Sequence, residues 1–504
     1  MNTTPLASQS ASAETRGHGN VVIVVCLALA TVVSAMASLN VALPDIARST
    51  HASQTDLSWI IDAYSLLFAA LLLLGDRYGR RRALIAGLTI FGVGSAVAMT
   101  AHSTTELIAL RGVLGIGASL VMPATLSTIT STVPGDQRAK AVSIWAGVAG
   151  AAAVIGLLAA GTLLHFFSWQ AVFGLNVVLA AVSLLGTLRF VPESADPDPT
   201  PLDPVGALVS FFSLVVLIFT VIEAPDSGWL AARTLGGFAV ALALLAAFIV
   251  WEARQEQPML DPRLFRRAQL SAGSASIFVQ FFTFFGFTFI VLQYLQIVRG
   301  DSPILAAVSV LPMAATMVTV SRLAPRLVGR FGARATCATG LMLIAAAMTI
   351  LSQVSTHSSY LLFAGGLVVL GTGMGAAMTP ATSGITDALP MNQQGVGSAL
   401  NDLSRELGGA LGVAVIGSVL DAVYSSNLTV PGAPAELVAR ARTSLGVAQN
   451  VGGTVAAHAH TAFVAGLNVA LLCGAAAAIA AAIGVLKAMP GRGRTAAAGL
   501  ATAS

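Results

Sequence analysis

Acidic and basic side chains stand inside long apolar runs of this sequence. One run, WIIDAYSLLFAALLLLGDRYGRRR, covers residues 59–82 and contains Asp62 near its start and Asp76 near its end. A charged carboxylate near the centre of a bilayer costs about 2.5–3.5 kcal/mol. Each of these aspartates is therefore expected to have a chemical role.

Asp62 is predicted to lie one helical turn inside the end of its apolar run. Desolvation penalises the charged form of a carboxylate, so such a group can hold a proton or meet a cationic ligand, but not readily both. Because the proton and the cationic ligand exclude each other, such a group is sufficient to couple the flow of one to the flow of the other. Arg111, inside a later apolar run, could hold Asp62 ionised in one state. The alternatives are a fixed ion pair and an Asp62 that reaches the interface.

A second group of charges precedes the apolar segment 407–420. The 14 residues of that segment span about 21 Å as a helix, which is too short for a hydrocarbon core of about 30 Å. The helix must begin earlier and draw Asp402 and Glu406 towards the membrane. These two acids are four residues apart and share a helix face, and Arg405 can reach Asp402. Either Glu406 is a second coupling or substrate group, or these residues only line an entrance.

The segment DRYGRRR, residues 76–82, combines one acid with a dense basic cluster. Gly79 permits a tight turn. Asp76 can pair with Arg77, Arg80 or Arg81, or face the N-terminus of a neighbouring helix. The alternative is a basic cluster that only anchors a loop.

The composition identifies the elements that carry these charges. Of 504 residues, 56% are hydrophobic and only 10% are charged, which is typical of a membrane protein with many spans. The formal charge of +4 does not suggest nucleic acid as a partner. Fourteen segments are long and apolar enough to cross a bilayer: 21–43, 58–75, 83–101, 107–131, 141–164, 171–190, 206–223, 233–251, 272–296, 303–323, 335–353, 359–385, 397–421 and 461–487.

The basic residues predict the orientation of these spans. Of the 26 Lys and Arg residues, 20 fall on the side of the two termini and five on the opposite side. The side with more Lys and Arg is the cytoplasmic one. We therefore expect both termini in the cytoplasm of a multi-pass protein of the cell inner membrane, and the Arg-rich and Ala-rich composition suggests a bacterium.

An internal repeat predicts the architecture. DRYGRRR at 76–82 is similar to GRFGARA at 329–335, and MPATLSTI at 122–129 is similar to TPATSGI at 379–385. PGDQRAKAVSIW and PMNQQGVGSALN form a third pair, and the three offsets are 253, 257 and 256 residues. Duplicated halves are typical of transporters that bind their substrate near the membrane midplane.

The predicted fold is an all-α integral membrane protein of two pseudo-symmetric six-helix halves plus two extra central transmembrane helices. The predicted organisation is a disordered N-terminus, an N-terminal half, the inserted helices, a C-terminal half with an external loop, and a disordered tail: 1–19, 20–190, 206–251, 271–487 with loop 422–460, and 488–504.

Several motifs resemble those of one transporter family. They are NVALPDI in span 1, GDRYGRRRAL after span 2, RGVLGIGASLVMP in span 4, HFFSWQAVFGLN after span 5 and SRELGGALG in span 13. Together they resemble the major facilitator superfamily, and within it the fourteen-span drug:proton antiporters that include multidrug and quaternary-ammonium exporters. The resemblance implies that segment 76–82 is a conformational gate and that the proton is the coupling ion, with no other cofactor.

The resemblance also places the antiporter motif on span 5, around Gly150, Gly156 and Gly161, where small-residue helix packing is the plain alternative. The chain departs from the family pattern there, since Leu157 replaces a proline. It departs again at Ala35, where the family has an aspartate. The separation of Asp62 from Asp76 is also about four residues shorter, roughly 6 Å of helix.

The predicted substrate is a hydrophobic or cationic drug. Aromatic rings with one or two carboxylates suit amphipathic cations, and phenylalanines cluster in FVQFFTFFGFTF at 278–289, although lipid-facing or packing roles are equally compatible. The candidate cavity-lining residues are Asn40, Tyr64, Trp145 and Phe285.

The predicted function is proton-coupled antiport of such drugs by alternating access. The alternatives are an exporter of one endogenous metabolite or antibiotic and a member of the fold without coupling. The sequence contains no Walker, HExxH or GxSxG motif and no metal-ligand spacing, so neither an enzyme nor a metal site is expected. The expected partners are the amphipathic small molecule and the lipid bilayer, with no nucleic acid and no obligatory protein partner.

Overall fold

Helices make up all the regular structure in the described parts of the chain. The computed structural model describes residues 6–71, 79–193, 203–256, 258, 260–389 and 394–490. A helix satisfies its backbone hydrogen bonds within one segment, which is what an apolar sequence needs in a bilayer. We number the α-helices in chain order: α1 Leu6–Thr50, α2 Gln54–Leu71, α3 Arg80–Ala98, α4 Thr104–Thr132, α5 Gly135–Phe166, α6 Gln170–Phe190, α7 Pro204–Ser227, α8 Ala232–Glu252, α9 Ala268–Gln293, α10 Pro303–Ser309, α11 Leu311–Phe331, α12 Ala333–Leu351, α13 Tyr360–Thr386, α14 Gln394–Asn427, α15 Ala435–Arg442, α16 Leu445–Val451 and α17 Gly453–Ala488.

Thirteen of the described helical segments are long and apolar enough to cross a membrane. They correspond to thirteen of the fourteen predicted spans. The remaining predicted span, 58–75, coincides with α2 as far as Leu71, and its end lies outside the described residues. The total of fourteen spans and the cytoplasmic position of the termini stay predictions.

The structure differs from the sequence prediction at the N-terminus and in the long loop. Helix α1 begins at Leu6, within the segment predicted to be disordered. The predicted loop 422–460 contains the short helices α15 and α16. It also contains the last turns of α14 and the first turns of α17. Most of the residues in these turns are polar or small, so their hydropathy is too low to indicate a membrane-spanning helix.

The chain forms two compact units. The first unit comprises Met1–Ala42 and Leu67–Leu202, and the second comprises Leu43–Leu66 and Asp203–Ser504. The second unit therefore contains most of α2 together with α7 and α8, the helices that correspond to the predicted inserted pair. The predicted boundaries of the two six-helix halves stay a prediction.

The same glycine contact occurs once in each unit. In the first, a Cβ atom on Gly87 of α3 would lie 2.7 Å from the carbonyl oxygen of Gly117 on α4. In the second, a Cβ atom on Gly340 of α12 would lie 2.8 Å from the carbonyl oxygen of Gly373 on α13. The offsets of 253 and 256 residues match those of the sequence repeat, so the duplication is visible in how these helix pairs pack.

A second shared feature is the turn that precedes these helix pairs. Gly79 before α3 has φ of 90°, and Gly332 before α12 has φ of 88°. Side chains with a Cβ rarely adopt this region, so glycine is needed at both turns. Gly79 therefore has a positive φ, which is compatible with the predicted tight turn, and its repeat-related position has the same conformation.

Close backbone approach also holds α9 against α14 in the second unit. A Cβ atom on Gly286 of α9 would lie 2.7 Å from the carbonyl oxygen of Gly412 on α14. Such small-residue interfaces are how helices associate in a bilayer, where lipid tails are as apolar as the side chains. The α9–α14 interface matters because both candidate acids of segment 402–406 stand on α14.

Replacing Gly286 by alanine should therefore destabilise the second unit. Because the added methyl group meets backbone rather than a flexible side chain, we expect a loss of about 1–3 kcal/mol of unfolding free energy. The measurement is thermal unfolding in detergent, followed by a thiol-reactive dye that labels the buried Cys26 and Cys337 as the chain opens.

The matched control is Gly365→Ala on α13, where nothing lies within 4 Å of an added Cβ atom. Alanine favours a helix more than glycine does, so this variant should unfold at the wild-type temperature or above it. Equal unfolding temperatures for the two variants would contradict the close α9–α14 contact.

Candidate functional site

The acids of α14 lie where the sequence predicts them. Helix α14 runs from Gln394 to Asn427, so the prediction that it begins before its apolar part is confirmed. Glu406 is 8% exposed. The Nη1 atom of Arg405 lies 3.7 Å from the Oδ1 atom of Asp402, one turn away on the same helix, as the spacing predicts. The buried carboxylate of Glu406 therefore stands next in the chain to Arg405, whose guanidinium group already pairs with Asp402.

Arg405 has a second contact, with the aromatic cluster of α9. Its guanidinium carbon lies 4.6 Å from the centroid of the Phe281 ring, within the range of a cation–π interaction. Phe281 contacts Phe285 with ring centroids 6.0 Å apart. A Cβ atom on Gly409 would lie 2.9 Å from the ring of Phe285, so this ring packs against α14. Part of the cluster thus lies beside Glu406 and does not face lipid alone.

Asp62 is fully buried on α2, with 0% of its surface exposed. Two contacts of α2 with α14 fix its level. Ser58 lies beside Gly417, since a Cβ atom on Gly417 would be 2.9 Å from the Ser58 hydroxyl oxygen. Two turns later, Leu66 packs in an apolar cluster with Ala410 and other residues of α14 and α7. Asp62 therefore lies between the levels of Gly417 and Ala410.

Glu406 stands beyond Ala410 on α14, so the two buried carboxylates occupy different levels of the second unit. From the middle of the Gly417–Ala410 interval to Glu406 is about seven residues, or about 10 Å along the helix axis. Two acids at successive depths on packed helices can each meet a cation or a proton in turn. The predicted coupling roles of Asp62, Asp402 and Glu406 stay predictions.

The remaining polar candidates are divided between the units. Arg111 is 2% exposed on α4 of the first unit, whereas Tyr64 is buried on α2 in the second. The predicted pairing of Arg111 with Asp62 stays a prediction. In the first unit, Asn40 donates to the carbonyl oxygen of Met36 on its own helix, 3.1 Å away.

Trp145, also in the first unit, joins α5 to α4. Its indole nitrogen donates to the hydroxyl oxygen of Thr125 over 3.0 Å. The indole is half-buried, so one edge of the ring is held while part of its face stays open.

The gate motif is described only in part. Asp76 and Arg77 lie outside the described residues. Arg81 donates to the carbonyl oxygen of Leu188 at the end of α6, 2.9 Å away. Arg82 lies 3.6 Å from Glu193, just after α6, and Arg80 begins α3. The described part of the basic cluster therefore binds the end of α6.

Glu193 is a partner that the sequence did not predict. A Cβ atom on Gly79 would lie only 2.6 Å from its carboxylate, so the positive-φ glycine also makes room for this acid. Its only signal in the sequence is an acid that follows predicted span 6 on the same side as the gate.

The three glycines of the antiporter motif differ in their surroundings. A Cβ atom on Gly156 would lie 2.7 Å from the Cα atom of Ser34, so α5 packs directly against α1 at this point. Nothing lies within 4 Å of a Cβ atom on Gly150, and Gly161 is buried. Helix α5 continues past Leu157 to Phe166 without a break. The close contact at Gly156 agrees with the small-residue packing that the sequence offered as the plain alternative.

No three His, Cys, Asp or Glu side chains come together as a metal site within the described ranges. The ionisable groups of the candidate site are therefore carboxylates and guanidinium groups on helices, beside aromatic rings.

Comparison with known proteins identifies the family. The sequence model of the Major Facilitator Superfamily matches residues 24–413. The multidrug efflux pump LfrA of Mycolicibacterium smegmatis is 35% identical over 417 residues, which cover 81% of this chain and 82% of that protein. The tetracenomycin C resistance and export protein of Streptomyces glaucescens is 30% identical over 465 residues, which cover 88% of this chain and 86% of that protein.

A solved structure shows the same fold. A bacterial homologue of the human lysosomal transporter Spinster, in an inward-facing and unoccupied conformation, aligns with a TM-score of 0.66 and 18% identity. The alignment covers 94% of this chain and 99% of that one. The chain is therefore a multi-pass transporter of the bacterial plasma membrane and not an enzyme; it belongs to the Major Facilitator Superfamily, in the branch of the multidrug exporters.

Proposed function

We propose that the protein exports hydrophobic or cationic drugs across the cytoplasmic membrane by proton-coupled antiport with alternating access. The observation that carries the proposal is the pair of buried carboxylates, Asp62 and Glu406, at two levels of the packed helices α2 and α14. The names of the relatives, among them a multidrug efflux pump, support the same substrate class.

The coupling follows from the cost of a buried charge. An isolated ionised carboxylate in an apolar site is strongly unfavourable, and either a proton or a cation relieves it. Arg405 already contacts Asp402 and the Phe281 ring, so its charge is shared. A cationic drug that enters displaces the proton, and a proton that enters displaces the drug. Occupancy by one or the other is what an exchanger requires.

The energy available suits efflux. One proton moving down a potential of 100 mV gains about 2.3 kcal/mol, and one pH unit adds about 1.4 kcal/mol. Together they sustain a gradient of a few hundredfold for an uncharged drug that is exchanged for one proton. Exchange of a monovalent cation for one proton moves no net charge, so there one pH unit alone sustains a gradient of about tenfold. The rings of Phe281 and Phe285 supply contact area and cation–π attraction for an amphipathic cation.

A narrower exporter is the second candidate function. The relative from Streptomyces glaucescens is named for resistance to and export of a single compound, tetracenomycin C. A panel of unrelated cations separates the two candidates: a broad exporter releases protons with several of them, and a dedicated exporter with none or one. A member without coupling would move no protons with any substrate, and Ala35 in place of the family's aspartate is the feature that favours it.

Asp62→Asn should abolish proton-coupled export and leave expression normal, because the amide can neither take up nor release a proton. The measurement is proton release from energised inside-out vesicles, followed with a pH-sensitive dye when ethidium is added. Wild-type vesicles should release protons and the variant should not. An unchanged signal in the variant would remove Asp62 from the mechanism.

Glu406→Gln should weaken the apparent affinity for ethidium. Contacts to a charged group contribute about 1.5–3 kcal/mol, so the concentration for half-maximal proton release should rise about tenfold or more. The matched control is Glu436→Gln, which makes the same chemical change on the exposed face of α15. If both variants keep the wild-type half-maximal concentration, Glu406 does not bind the cation.

A further inference from the structure

The end of inserted helix α7 carries two acids that the proposed coupling mechanism does not use. Glu223 accepts a hydrogen bond from the indole nitrogen of Trp59 on α2 over 3.2 Å. Asp226 accepts one from the hydroxyl of Thr55, near the start of α2, over 3.0 Å. The inserted helix is thus tied to the first turns of α2, one turn before Asp62.

A third acid reaches the same place from α14. The hydroxyl of Ser418 donates to the carbonyl oxygen of Val221 on α7 over 2.8 Å, and Gly417 lies beside Ser58 of α2. Residues three and four further along a helix lie on the same face. Asp421 is three residues after Ser418 and four after Gly417, so it lies on the face of α14 that packs against α7 and α2. It is close enough to Asp226 for their charges to repel.

Asp421 is 7% exposed, and no hydrogen bond or ion pair holds its carboxylate among the residues that the structure describes. Over the same ranges, no Lys, Arg or His forms an ion pair with Glu223 or Asp226. A buried polar group without a partner is costly, and a buried charge more so. This cost falls on the buried Asp421, which stands beside the partly buried Glu223 and the exposed Asp226, and a positive ligand would relieve it.

Aromatic side chains beside these acids favour one kind of cation. Trp59 lies against Phe219 of α7, with ring centroids 5.8 Å apart. Aromatic faces attract organic cations, and the guanidinium carbon of Arg233 already lies 5.9 Å from the centroid of the Phe219 ring. The described acids do not form a cluster with the geometry of a metal site. The acids and aromatic rings at this junction of α2, α7 and α14 therefore favour a cation with an apolar body over a bare metal ion.

We propose that Asp421, Asp226 and Glu223, with Trp59, form a second binding site for an organic cation, built by the inserted helix α7 against α2 and α14. In the predicted orientation it lies near the outer end of the spans, so the cation occupies it after Asp62 and before release. The inference deepens the proposed function and rests on it, because it assigns a second site to the same class of substrate.

The test is equilibrium binding of radiolabelled tetraphenylphosphonium to the full chain in lipid nanodiscs. The background variant is Asp62→Asn with Glu406→Gln, which removes the two acids of the first site. It should keep a saturable component, and adding Asp421→Asn should weaken that component about tenfold or more through loss of the charged partner. Adding Glu436→Gln to the same background instead should leave it unchanged.

A background variant with no saturable binding, or one whose binding Asp421→Asn leaves unchanged, would overturn the second site. Folding is checked by thermal unfolding, which Asp421→Asn should not lower, because it removes a buried charge without a partner. The proposed function is tested separately, by proton release in vesicles with wild-type Asp421 and with or without Asp62→Asn. Failure of the second site and failure of the proposed function therefore give different results.

Discussion

The low dielectric of the bilayer is the constraint on which the rest of the structure depends. It forces each backbone polar group into a helix, because nothing in hydrocarbon can replace the missing hydrogen bonds. It also removes the usual hydrophobic drive for helix association, so the helices meet through glycine contacts such as Gly87–Gly117 and Gly286–Gly412. The same medium makes an unpaired charge costly, so a buried carboxylate is stable only with a proton or a positive partner.

Helix α14 shows how these effects combine in one element. It packs on α9 through Gly412 and on α2 through Gly417, and its Ser418 hydrogen bonds to α7. Glu406 stands before these contacts and Asp421 after them. About 15 residues separate the two acids, which is about 22 Å of helix. One continuous helix thus carries carboxylates towards both ends of its apolar part.

Features within one helix could be predicted from the sequence, and features between distant segments could not. The Asp402–Arg405 pair follows from a spacing of three residues, and the early start of α14 follows from the shortness of its apolar part. The partnership of Arg82 with Glu193 joins residues far apart in the chain, and only the fold reveals it. Asp421 is the last residue of the predicted span 397–421, because the polar residues that follow it resemble a loop. Its burial within a longer helix is therefore visible only in the structure.

Helix α7 is part of the protein's internal structure. Ile218, Val221 and Ile222 of α7 share an apolar cluster with Leu66 and Ala410, and the Val221 carbonyl group is the acceptor for Ser418. Deleting α7 would leave the Ser418 hydroxyl and the Trp59 indole without their hydrogen-bond acceptors. A version of this chain without α7 therefore needs changes in α2 and α14 as well. In evolutionary terms, α7 and the surfaces that it contacts have to be inherited together.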